Sequence, residues 1–258
     1  GLRRVQEQRR PEVFLITGPS GVGKSRLAQW LCERAHEIAG ADFVKATHSP
    51  GAADASALGT MLARHFRTRG LRWNEVRVRM GELLRPLGVM DTEEWDAVAE
   101  LVHPTSDTSE VQETLGVRFD SKREMLVLIR RTLERLSRRR PLVVWLDDAQ
   151  HGLEALLFAR LFAENADPEA SPILVVATAN ESTAGEAPSE QLAQLRRAPG
   201  VTEIALGPLD ADEHGMLVRQ LLPMDNDLAL RVEERTAGNP VFALQLVGSW
   251  VDQGLLEL

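Results

Sequence analysis

A single octapeptide constrains the fold of this chain more than any other feature. Residues 18–25 read Gly-Pro-Ser-Gly-Val-Gly-Lys-Ser, a complete G-x-x-x-x-G-K-S/T pattern. An apolar run at 13–17 comes before it and a helical pattern follows it, so the glycines lie where a buried strand gives way to a helix. The N–H groups at such a helix start, together with the helix dipole, hold polyphosphate groups. The sequence therefore predicts that the chain binds a nucleoside triphosphate.

Two side chains of this loop have specific predicted roles. Lys24 is predicted to reach the β- and γ-phosphates, and the hydroxyl of Ser25 is predicted to bind Mg²⁺. A glycine-rich turn followed by a surface lysine is the alternative, and the agreement of all four fixed positions with both flanking patterns disfavours it. The other residues of this segment expected to surround the nucleotide are Pro19, Ser20, Gly21, Val22, Gly23 and Arg26.

Composition excludes several other classes of protein. The 258 residues are 43% apolar and 26% charged, which suits one large α/β unit with a small appendage, or two small domains. A formal charge of −8 argues against a surface built as a whole to grip nucleic acid. The single cysteine, Cys32, excludes a disulfide framework within the chain.

Targeting signals are also absent from the sequence. No apolar stretch approaches the roughly 20 residues that span a bilayer, and no signal peptide opens the chain. We therefore expect a cytoplasmic protein that has no membrane partner. Both ends of the sequence fall within helix-like segments, so we also expect the chain to be one module of a longer protein.

The alternation of apolar runs with helical patterns predicts the architecture. Helices that alternate with strands produce a parallel sheet covered on both faces. The five predicted strands are 13–17, 43–47, 142–146, 173–177 and 202–206. Between the second and third strands, at about 48–141, lies a predicted helical insertion, with helices at 56–69, 74–84, 92–102 and 121–139 and a loop at 103–120.

The strand signals stop at Gly207 and Pro208, and only helical patterns follow. We therefore predict two domains, an α/β nucleotide-binding domain over 1–207 and a small helical domain over 208–258 that continues beyond this sequence. The helices predicted for the second domain are 210–222, 225–237 and 240–255.

Two carboxylates, Asp147 and Asp148, directly follow the apolar run of the third predicted strand. Ligands of open parallel sheets bind at the carboxyl ends of the strands, so this pair is expected beside the phosphates. Asp147 is predicted to hold Mg²⁺, directly or through water, and Asp148 to act as the general base for the attacking water. An aspartate-capped turn is the alternative, and the complete phosphate loop upstream disfavours it.

The fourth predicted strand ends near two polar residues, Thr178 and Asn180. In phosphate-loop ATPases that have an additional strand between the strands carrying their two motifs, a polar residue here senses the γ-phosphate. Asn180 is our candidate for this catalytic role, Thr178 is the alternative, and an ordinary loop exit stays open. Guanine specificity normally calls for an Asn-Lys-x-Asp segment after a strand, and the sequence has none, so ATP and ADP are the expected nucleotides.

Four segments together resemble the AAA-like ATPase module of STAND-type signalling ATPases. They are GPSGVGKS at 18–25, RRRPLVVWLDDAQH at 138–151, VVATANES at 175–182 and TAGNPVFALQLV at 236–247. In bacterial regulators of that family the module is fused to protein kinase, cyclase, repeat or LuxR-type DNA-binding domains. The resemblance implies a P-loop NTPase fold with a parallel five-stranded sheet of order 5-1-4-3-2 and a C-terminal helical lid.

The resemblance also assigns a role to Pro240 in the Gly238-Asn239-Pro240 triplet. In the family this triplet lies in the lid and approaches the nucleotide, which implies that Pro240 lies near the adenine or ribose. A helix break, with Gly238 closing one helix and Pro240 opening the next, is the alternative. The chain departs from the family by having Asn180 where arginine is usual, and by lacking the upstream Gly-Arg-Glu element that helps to seat the adenine.

These patterns favour an ATP-dependent switch that hydrolyses ATP slowly and controls an attached or partner effector domain in a signalling or transcriptional regulator. A DNA-dependent AAA+ loader or remodelling ATPase is the alternative, and a nucleotide-bound scaffold is disfavoured because a pure binder does not need Asp148. Homo-oligomerisation and nucleic-acid binding stay open. One arginine run predicts either a solvated face or a docking face for another domain or for nucleic acid: Arg64, Arg67, Arg69, Arg72, Arg77, Arg79 and Arg85.

Overall fold

The computed structural model describes residues 4, 5, 7, 10–51, 54–104, 119, 121–164, 171–221 and 226–254. Within them the chain forms a five-stranded sheet in the order β2-β3-β4-β1-β5, and neighbouring strands are parallel. The predicted α/β fold is confirmed, and the predicted sheet order is the same order read from the opposite edge. The strands are β1 (Glu12–Thr17), β2 (Asp42–Thr47), β3 (Leu142–Asp147), β4 (Ile173–Ala179) and β5 (Val201–Ala205).

The central strands β3 and β4 are buried along their whole lengths. Their sequences, LVVWLD and ILVVATA, are almost continuously apolar because helices cover both faces of a parallel sheet. One face packs in a large core against the helices of the insertion, and the other packs around Ile16, Ala28 and Trp145. These two cores hold the strands rigidly, so the residues that follow them are well positioned at one end of the sheet.

Helices occupy the positions that the sequence pattern predicted. The predicted helix 56–69 ends earlier, at His65, because Arg67 adopts a left-handed backbone conformation with φ 54°. Most of the predicted loop 103–120 lies outside the described residues. The helices are α1 (Lys24–Ala39), α2 (Asp54–His65), α3 (Trp73–Leu84), α4 (Thr92–Val102), α5 (Lys122–Ser137), α6 (Leu153–Glu164), α7 (Glu186–Arg197), α8 (Ala211–Leu221), α9 (Asn226–Thr236) and α10 (Pro240–Asp252).

Helices α8 to α10 pack around a small core of their own, which contains Val218, Ala229, Val232, Ala243 and Val247. The segment after β5 is tied to the turn between α9 and α10, since the N–H of Leu209 donates to the carbonyl oxygen of Gly238 at 2.8 Å. That these helices form a separate lid domain beginning at 208 stays a prediction. No helix in the described part of the chain is long and apolar enough to cross a membrane.

Candidate nucleotide-binding site

The glycine-rich loop joins β1 to α1 at the carboxyl end of the sheet. Gly18 and Gly21 both have positive φ angles, 147° and 82°. A Cβ at Gly18 would overlap the carbonyl oxygen of Leu206, and one at Gly21 would overlap Oδ1 of Asn239. The close approach of the loop backbone to its neighbours therefore requires glycine at both positions. Helix α1 begins at Lys24 without a capping side chain, which leaves the N–H groups of its first turn available to a ligand.

The ammonium group of Lys24 is folded onto the loop that precedes it. Its Nζ donates to the carbonyl oxygens of Gly18 (2.9 Å) and Pro19 (2.7 Å), and the side chain is buried. Burial lowers the pKa of Lys24, while the nearby charges of Asp148 and Asp147 act in the opposite direction. A triphosphate would offer this ammonium stronger acceptors than neutral carbonyls, because phosphate oxygens carry negative charge and attract the cation.

Asp147, the last residue of β3, is bonded by residues of α1, β4 and β2. Its Oδ1 accepts hydrogen bonds from the hydroxyls of Ser25 and Thr178, both at 2.8 Å, and its Oδ2 lies 2.8 Å from Nζ of Lys45. Burial by itself raises the pKa of Asp147, but the bonds from Lys45, Ser25 and Thr178 together hold it below the ordinary value. Asp147 is therefore an ionised carboxylate in a buried position.

The donor set around Asp147 fits Mg²⁺. The Ser25 hydroxyl and the Asp147 carboxylate are neighbouring oxygen donors, and Mg²⁺ in phosphate-transferring sites is usually held by one or two carboxylates together with phosphates and water. The described residues contain no group of three or more His, Cys, Asp or Glu side chains able to hold a metal. The ammonium of Lys45 already places a cation against the same carboxylate.

Sequence reasoning missed Lys45. Its ammonium also lies 3.5 Å from the centroid of the Trp145 ring, in a cation–π contact. The parallel register places Lys45 opposite Trp145, two residues before Asp147 along β3. A lysine within an otherwise apolar strand is a usable sequence signal, but its partner could be named only once β2 was known to pair with β3.

The backbone leaves the strand at Asp148, which has a left-handed conformation (φ 54°, ψ 44°). The Asp148 N–H donates to Oγ1 of Thr178 at 3.0 Å, and the Asp148 carboxylate accepts a bond from Nε2 of Gln150 at 3.3 Å. Thr178 thus bonds both members of the acidic pair, because its hydroxyl also donates to Asp147. Aspartate adopts this conformation more readily than most residues, and backbone strain of this kind clusters at functional sites.

Asn180 is buried just after β4, and the hydrogen bonds of its side chain are local. Its Oδ1 accepts from the N–H and the hydroxyl of Ser182, at 3.2 and 2.8 Å. Its own N–H donates to Oε1 of Gln150 at 3.1 Å, and that amide side chain leads on to Asp148. No hydrogen bond among the described residues joins the Asn180 side chain to either carboxylate of the acidic pair. The γ-phosphate-sensing role of Asn180 stays a prediction. Gln150 is the residue that connects Asn180 to Asp148.

The turn before α10 contacts the glycine-rich loop directly. Asn239 donates from Nδ2 to the carbonyl oxygen of Ser20 at 2.9 Å, and the N–H of Val241 donates to that of Gly21 at 3.3 Å. Asn239 also caps α10, since its Oδ1 accepts hydrogen bonds from the first N–H groups of the helix. Pro240 lies between these two residues at the first helical position, where proline is favoured. These hydrogen bonds to the loop are thus made by the two neighbours of Pro240, and the place of Pro240 beside adenine or ribose stays a prediction.

Buried His214 of α8 holds this turn in place. Its Nδ1 accepts the N–H of Gly238 at 3.2 Å, and its Nε2 is hydrogen-bonded to Oγ1 of Thr236 at 3.0 Å. Because a backbone N–H can only donate, the network assigns a neutral ring with its proton on Nε2. The Thr236 hydroxyl in turn donates to the carbonyl oxygen of Val232 at 2.7 Å. A lone histidine in a helical pattern carries no sequence signal for this role, so sequence reasoning missed it.

Comparisons with known proteins agree with the AAA-like module that the sequence resembles. A family model described as AAA ATPase domain matches residues 2–183. No curated protein matches the chain. A STAND protein with a tetratricopeptide repeat sensor, from Pyrococcus horikoshii, is 15% identical with a TM-score of 0.44, over 93% of this chain and 28% of that one.

Two further solved structures are similar. The ORC2 protein of Aeropyrum pernix, in ADPNP–ADP complexes, is 16% identical with a TM-score of 0.50, over 85% of this chain and 48% of that one. The ORC1 protein of the same organism, in complex with DNA, is 18% identical with a TM-score of 0.49, over 99% of this chain and 60% of that one. The chain thus spans less than two thirds of each of these structures, and at such identities the likeness concerns the fold alone.

Proposed function

Because the chain belongs to the AAA ATPase domain family, whose model matches residues 2–183, we propose that it is an ATP-binding, slowly hydrolysing switch module of a signalling or transcriptional regulator. Family membership makes it a nucleotide-binding ATPase module, and the switch is the proposed part. One observation carries it: Asn239 and Val241 donate hydrogen bonds to the glycine-rich loop. A C-terminal helix thereby contacts the backbone that is expected to surround the phosphates.

ATP binding is proposed to redirect Lys24. Its ammonium leaves the carbonyl oxygens of Gly18 and Pro19 and binds the β- and γ-phosphates, while the first N–H groups of α1 bind the same phosphates. Ser25 and Asp147 are proposed to hold Mg²⁺, which when bound neutralises charge on the phosphate oxygens. The hydrogen bond between Ser25 and Asp147 keeps the hydroxyl and the carboxylate next to each other, as this role requires.

Asp148 is proposed to be the general base that accepts the proton of the attacking water. Its carboxylate is bonded by the neutral amide of Gln150, whereas Asp147 is bonded to the ammonium of Lys45. The Asp147 carboxylate is thus occupied by one cation and two hydroxyl donors, which suits metal binding and makes Asp148 the candidate for the base. Thr178 sets the relative position of the pair, because its hydroxyl bonds the backbone of Asp148 and the side chain of Asp147.

Slow turnover is proposed because, in the described part of the chain, no arginine is hydrogen-bonded to Asp147, Asp148 or Thr178. Asn180 also stands where the resembled family usually has arginine. An arginine finger is typically worth about 10³–10⁵ in kcat for phosphoryl transfer. Supply of this group by another subunit or domain would then be the step that accelerates hydrolysis.

The switch is proposed to act through the bonds between the turn before α10 and the glycine-rich loop. A ligand shifts a two-state equilibrium only by its differential affinity for the two states. ATP and ADP differ in the γ-phosphate, which the loop carrying the carbonyls of Ser20 and Gly21 is proposed to surround. The segment 208–258 is then the lid domain, and Gly207 and Pro208, where the sheet ends, form its hinge.

Hydrogen exchange tests the switch. Amide protection over 208–258 is expected to differ between the ADP complex and the complex with a non-hydrolysable ATP analogue, whereas β3 stays protected in both. A lid with identical protection in the two complexes would leave an ATP-binding module without a switch in this segment. Because isotope uptake is measured on each peptide, the strands of the same sample provide the internal control.

A pair of variants at Asn239 separates the loop contact from the helix cap. Asn239→Ala removes both the Nδ2 donor to Ser20 and the Oδ1 cap, whereas Asn239→Ser keeps a capping oxygen and loses the reach to the loop. Both variants are expected to reduce the nucleotide-dependent difference in protection. If Asn239→Ser behaves as wild type, the asparagine acts only as a cap and the proposed coupling through it is wrong.

A further inference from the structure

A cavity of about 380 Å³ opens at the amino end of the sheet, opposite the glycine-rich loop. Asp42 and Leu142, the first residues of β2 and β3, line it, together with residues at the ends of α2 and α5 and along α3. Both strands end at the other edge, at Thr47 and Asp147. A six-residue strand is about 17 Å long, so this cavity is distinct from the nucleotide site.

Four arginines gather around this cavity: Arg67, Arg79, Arg139 and Arg140. Arg79 donates from Nε to the carbonyl oxygen of Phe66 at 2.7 Å, and Arg139 donates to that of Pro86 at 3.1 Å. Both bonds fix the position of a guanidinium group, and among the described residues neither of these two guanidinium groups forms an ion pair with a carboxylate.

Asp42 contributes a carboxylate to the cavity wall, and its Oδ1 lies 3.9 Å from the nearest nitrogen of Arg140. His65 also lines the cavity; burial lowers the pKa of His65, and the charge of Asp42 acts in the opposite direction. Within the described residues the cavity therefore has a surplus of positive charge.

The backbone holds Arg67 in this cluster at a cost in strain. Its φ is 54°, in the left-handed region that glycine favours at the end of a helix. The turn is closed by Thr68, whose N–H and hydroxyl both donate to the carbonyl oxygen of Ala63, at 3.0 and 3.3 Å. An arginine in such a position indicates that its side chain has a use there.

The rest of the cavity wall is apolar. Leu83, Leu87 and Leu136 line it and are only partly buried by the rest of the protein. Small-molecule sites are concave, mostly apolar, and carry a few convergent polar groups, in volumes from about 300 Å³ upward. A recess that combines leucines with converging guanidinium groups has these properties.

We propose that this cavity binds a small organic anion, whose phosphate or carboxylate group contacts the arginines and whose apolar body lies on the leucines. Guanidinium groups bind both kinds of oxyanion through paired N–H donors. The proposal does not depend on whether the protein hydrolyses ATP. It assigns a use to part of the arginine run, at a place where the fold adds Arg139 and Arg140 from the turn that follows α5.

Nucleic acid is the less favoured ligand of this surface, because the fold engages several arginines of the run in contacts with other side chains. Arg77 forms an ion pair with Asp96, and the guanidinium of Arg85 lies over the ring of Trp95 at 5.1 Å. These contacts remove two arginines from any continuous basic surface. A recess of this volume also suits one anionic group better than a phosphate backbone.

Calorimetric titration of the whole chain with phenyl phosphate tests the proposal, with Mg²⁺ and stoichiometric ADP present so that the nucleotide site is filled and no surplus ADP competes for the cavity. Saturable binding at one site is expected, isophthalate is expected to compete, and the uncharged benzyl alcohol is expected not to bind. Competition by isophthalate identifies an oxyanion site, whereas its failure assigns the site to phosphates. Absence of saturable phenyl phosphate binding, or equal affinity for benzyl alcohol, would overturn the proposal.

Two double variants with equal charge loss locate the site. Arg67→Gln/Arg140→Gln removes two cavity arginines, and Arg64→Gln/Arg69→Gln removes two exposed arginines outside it. Loss of charge-assisted hydrogen bonds is expected to weaken phenyl phosphate binding roughly 10-fold or more in the first variant. The second variant can change phenyl phosphate affinity only through long-range electrostatic attraction, which salt screens, so a change within about 2-fold is expected.

If both variants weaken phenyl phosphate binding equally, the anion is attracted by the overall charge of the protein, and the assignment of the site to this cavity is wrong. Duplex DNA binding that depends on the cavity pair, without phenyl phosphate binding, would assign the surface to nucleic acid instead. Should the first variant unfold, nuclear Overhauser contacts between the ring protons of phenyl phosphate and the methyl groups of Leu83 and Leu136 in the wild-type chain decide the location. Contacts to other methyl groups alone would overturn it.

Discussion

The two ends of the parallel sheet differ in how far their charged side chains are balanced by opposite charges. At the carboxyl end, buried Asp147 is compensated by two hydroxyl donors and the ammonium of Lys45. At the amino end, a cluster of arginines faces a cavity in which Asp42 lies 3.9 Å from its nearest guanidinium. A compensated buried charge is held in one geometry, which suits chemistry, whereas a cluster with a surplus of positive charge retains electrostatic attraction for a ligand.

Burial explains why the protein tolerates both arrangements. The side chain of Asp147 is only 8% exposed, so without donors it would carry a large desolvation cost, while that of Arg140 is 65% exposed and remains hydrated. Substitutions at the carboxyl end should therefore have large effects on ligand binding and on stability. Substitutions at the amino end should have small effects on stability.

The largest effect is expected from Lys24→Ala, which removes the cation of the glycine-rich loop. Two charge-assisted hydrogen bonds at about 1.5–3 kcal/mol each are lost, so ATP affinity should fall by roughly 10²-fold or more. The fold should persist, because the change removes little core volume. Calorimetric titration with Mg·ATP measures the affinity and thermal melting checks the fold. Unchanged affinity in a folded variant would contradict the assignment of the phosphate loop.

Asp148→Asn should separate binding from chemistry at the same end. Mg·ATP binding is expected to persist while hydrolysis slows by about 10²–10⁴, because the amide has the shape of the carboxylate but cannot act as a general base. Phosphate release under single-turnover conditions measures this. Asp147→Asn is the matched comparison, and it should instead weaken the dependence of ATP binding on Mg²⁺. Wild-type turnover in Asp148→Asn would show that the second carboxylate only shapes the turn.

Lys45→Met tests how much the ion pair between Lys45 and Asp147 contributes to the free energy of unfolding. A buried pair broken by removing one partner costs about 3–5 kcal/mol, and an exposed one contributes about 0–1. The partly exposed Lys45 should fall between, so a loss of about 1–3 kcal/mol in the free energy of unfolding is expected at neutral pH. Denaturant unfolding measures it, and Lys45→Arg, which keeps the charge, is the control.

The pH dependence of this loss has a definite sign. The folded-state pKa of Asp147 is held below its ordinary value, so its stabilising contribution is present above the unfolded pKa of about 3.9 and is lost as the pH falls through the folded pKa. The difference in stability between wild type and Lys45→Met should therefore be full at neutral pH and shrink below about pH 4. A difference that stays constant with pH would show that Lys45 acts through packing on Trp145 alone.

Arg67→Gly tests the amino end and should have the smallest effect. Glycine adopts the left-handed conformation without strain, so a gain of about 1 kcal/mol in the free energy of unfolding is expected. Arg67→Ala removes the same charge but keeps a Cβ, so it should gain less. Thermal melting of the two variants separates strain from charge repulsion. Equal gains in both would assign the effect to repulsion among the arginines.

Much of the fold could be predicted from local patterns. The glycine-rich loop, the apolar runs of β1 and β3, and the acidic pair after β3 are each encoded within a few consecutive residues, where spacing and hydrophobicity carry a direct physical meaning. The helix bounds were less certain. The predicted helix 56–69 was too long because an arginine, and not a glycine, occupies the left-handed position that ends it.

By itself, then, the sequence determined the phosphate loop, the order of strands and helices along the chain, and the carboxylates at one strand end. Only the tertiary structure decided that Lys45 neutralises Asp147, that Asn239 bonds the loop at Ser20, and that Arg139 joins Arg67 around one cavity. These pairs come from elements far apart in the chain. Their contact depends on which strands pair and which helices pack together, and no periodicity in the sequence encodes that choice.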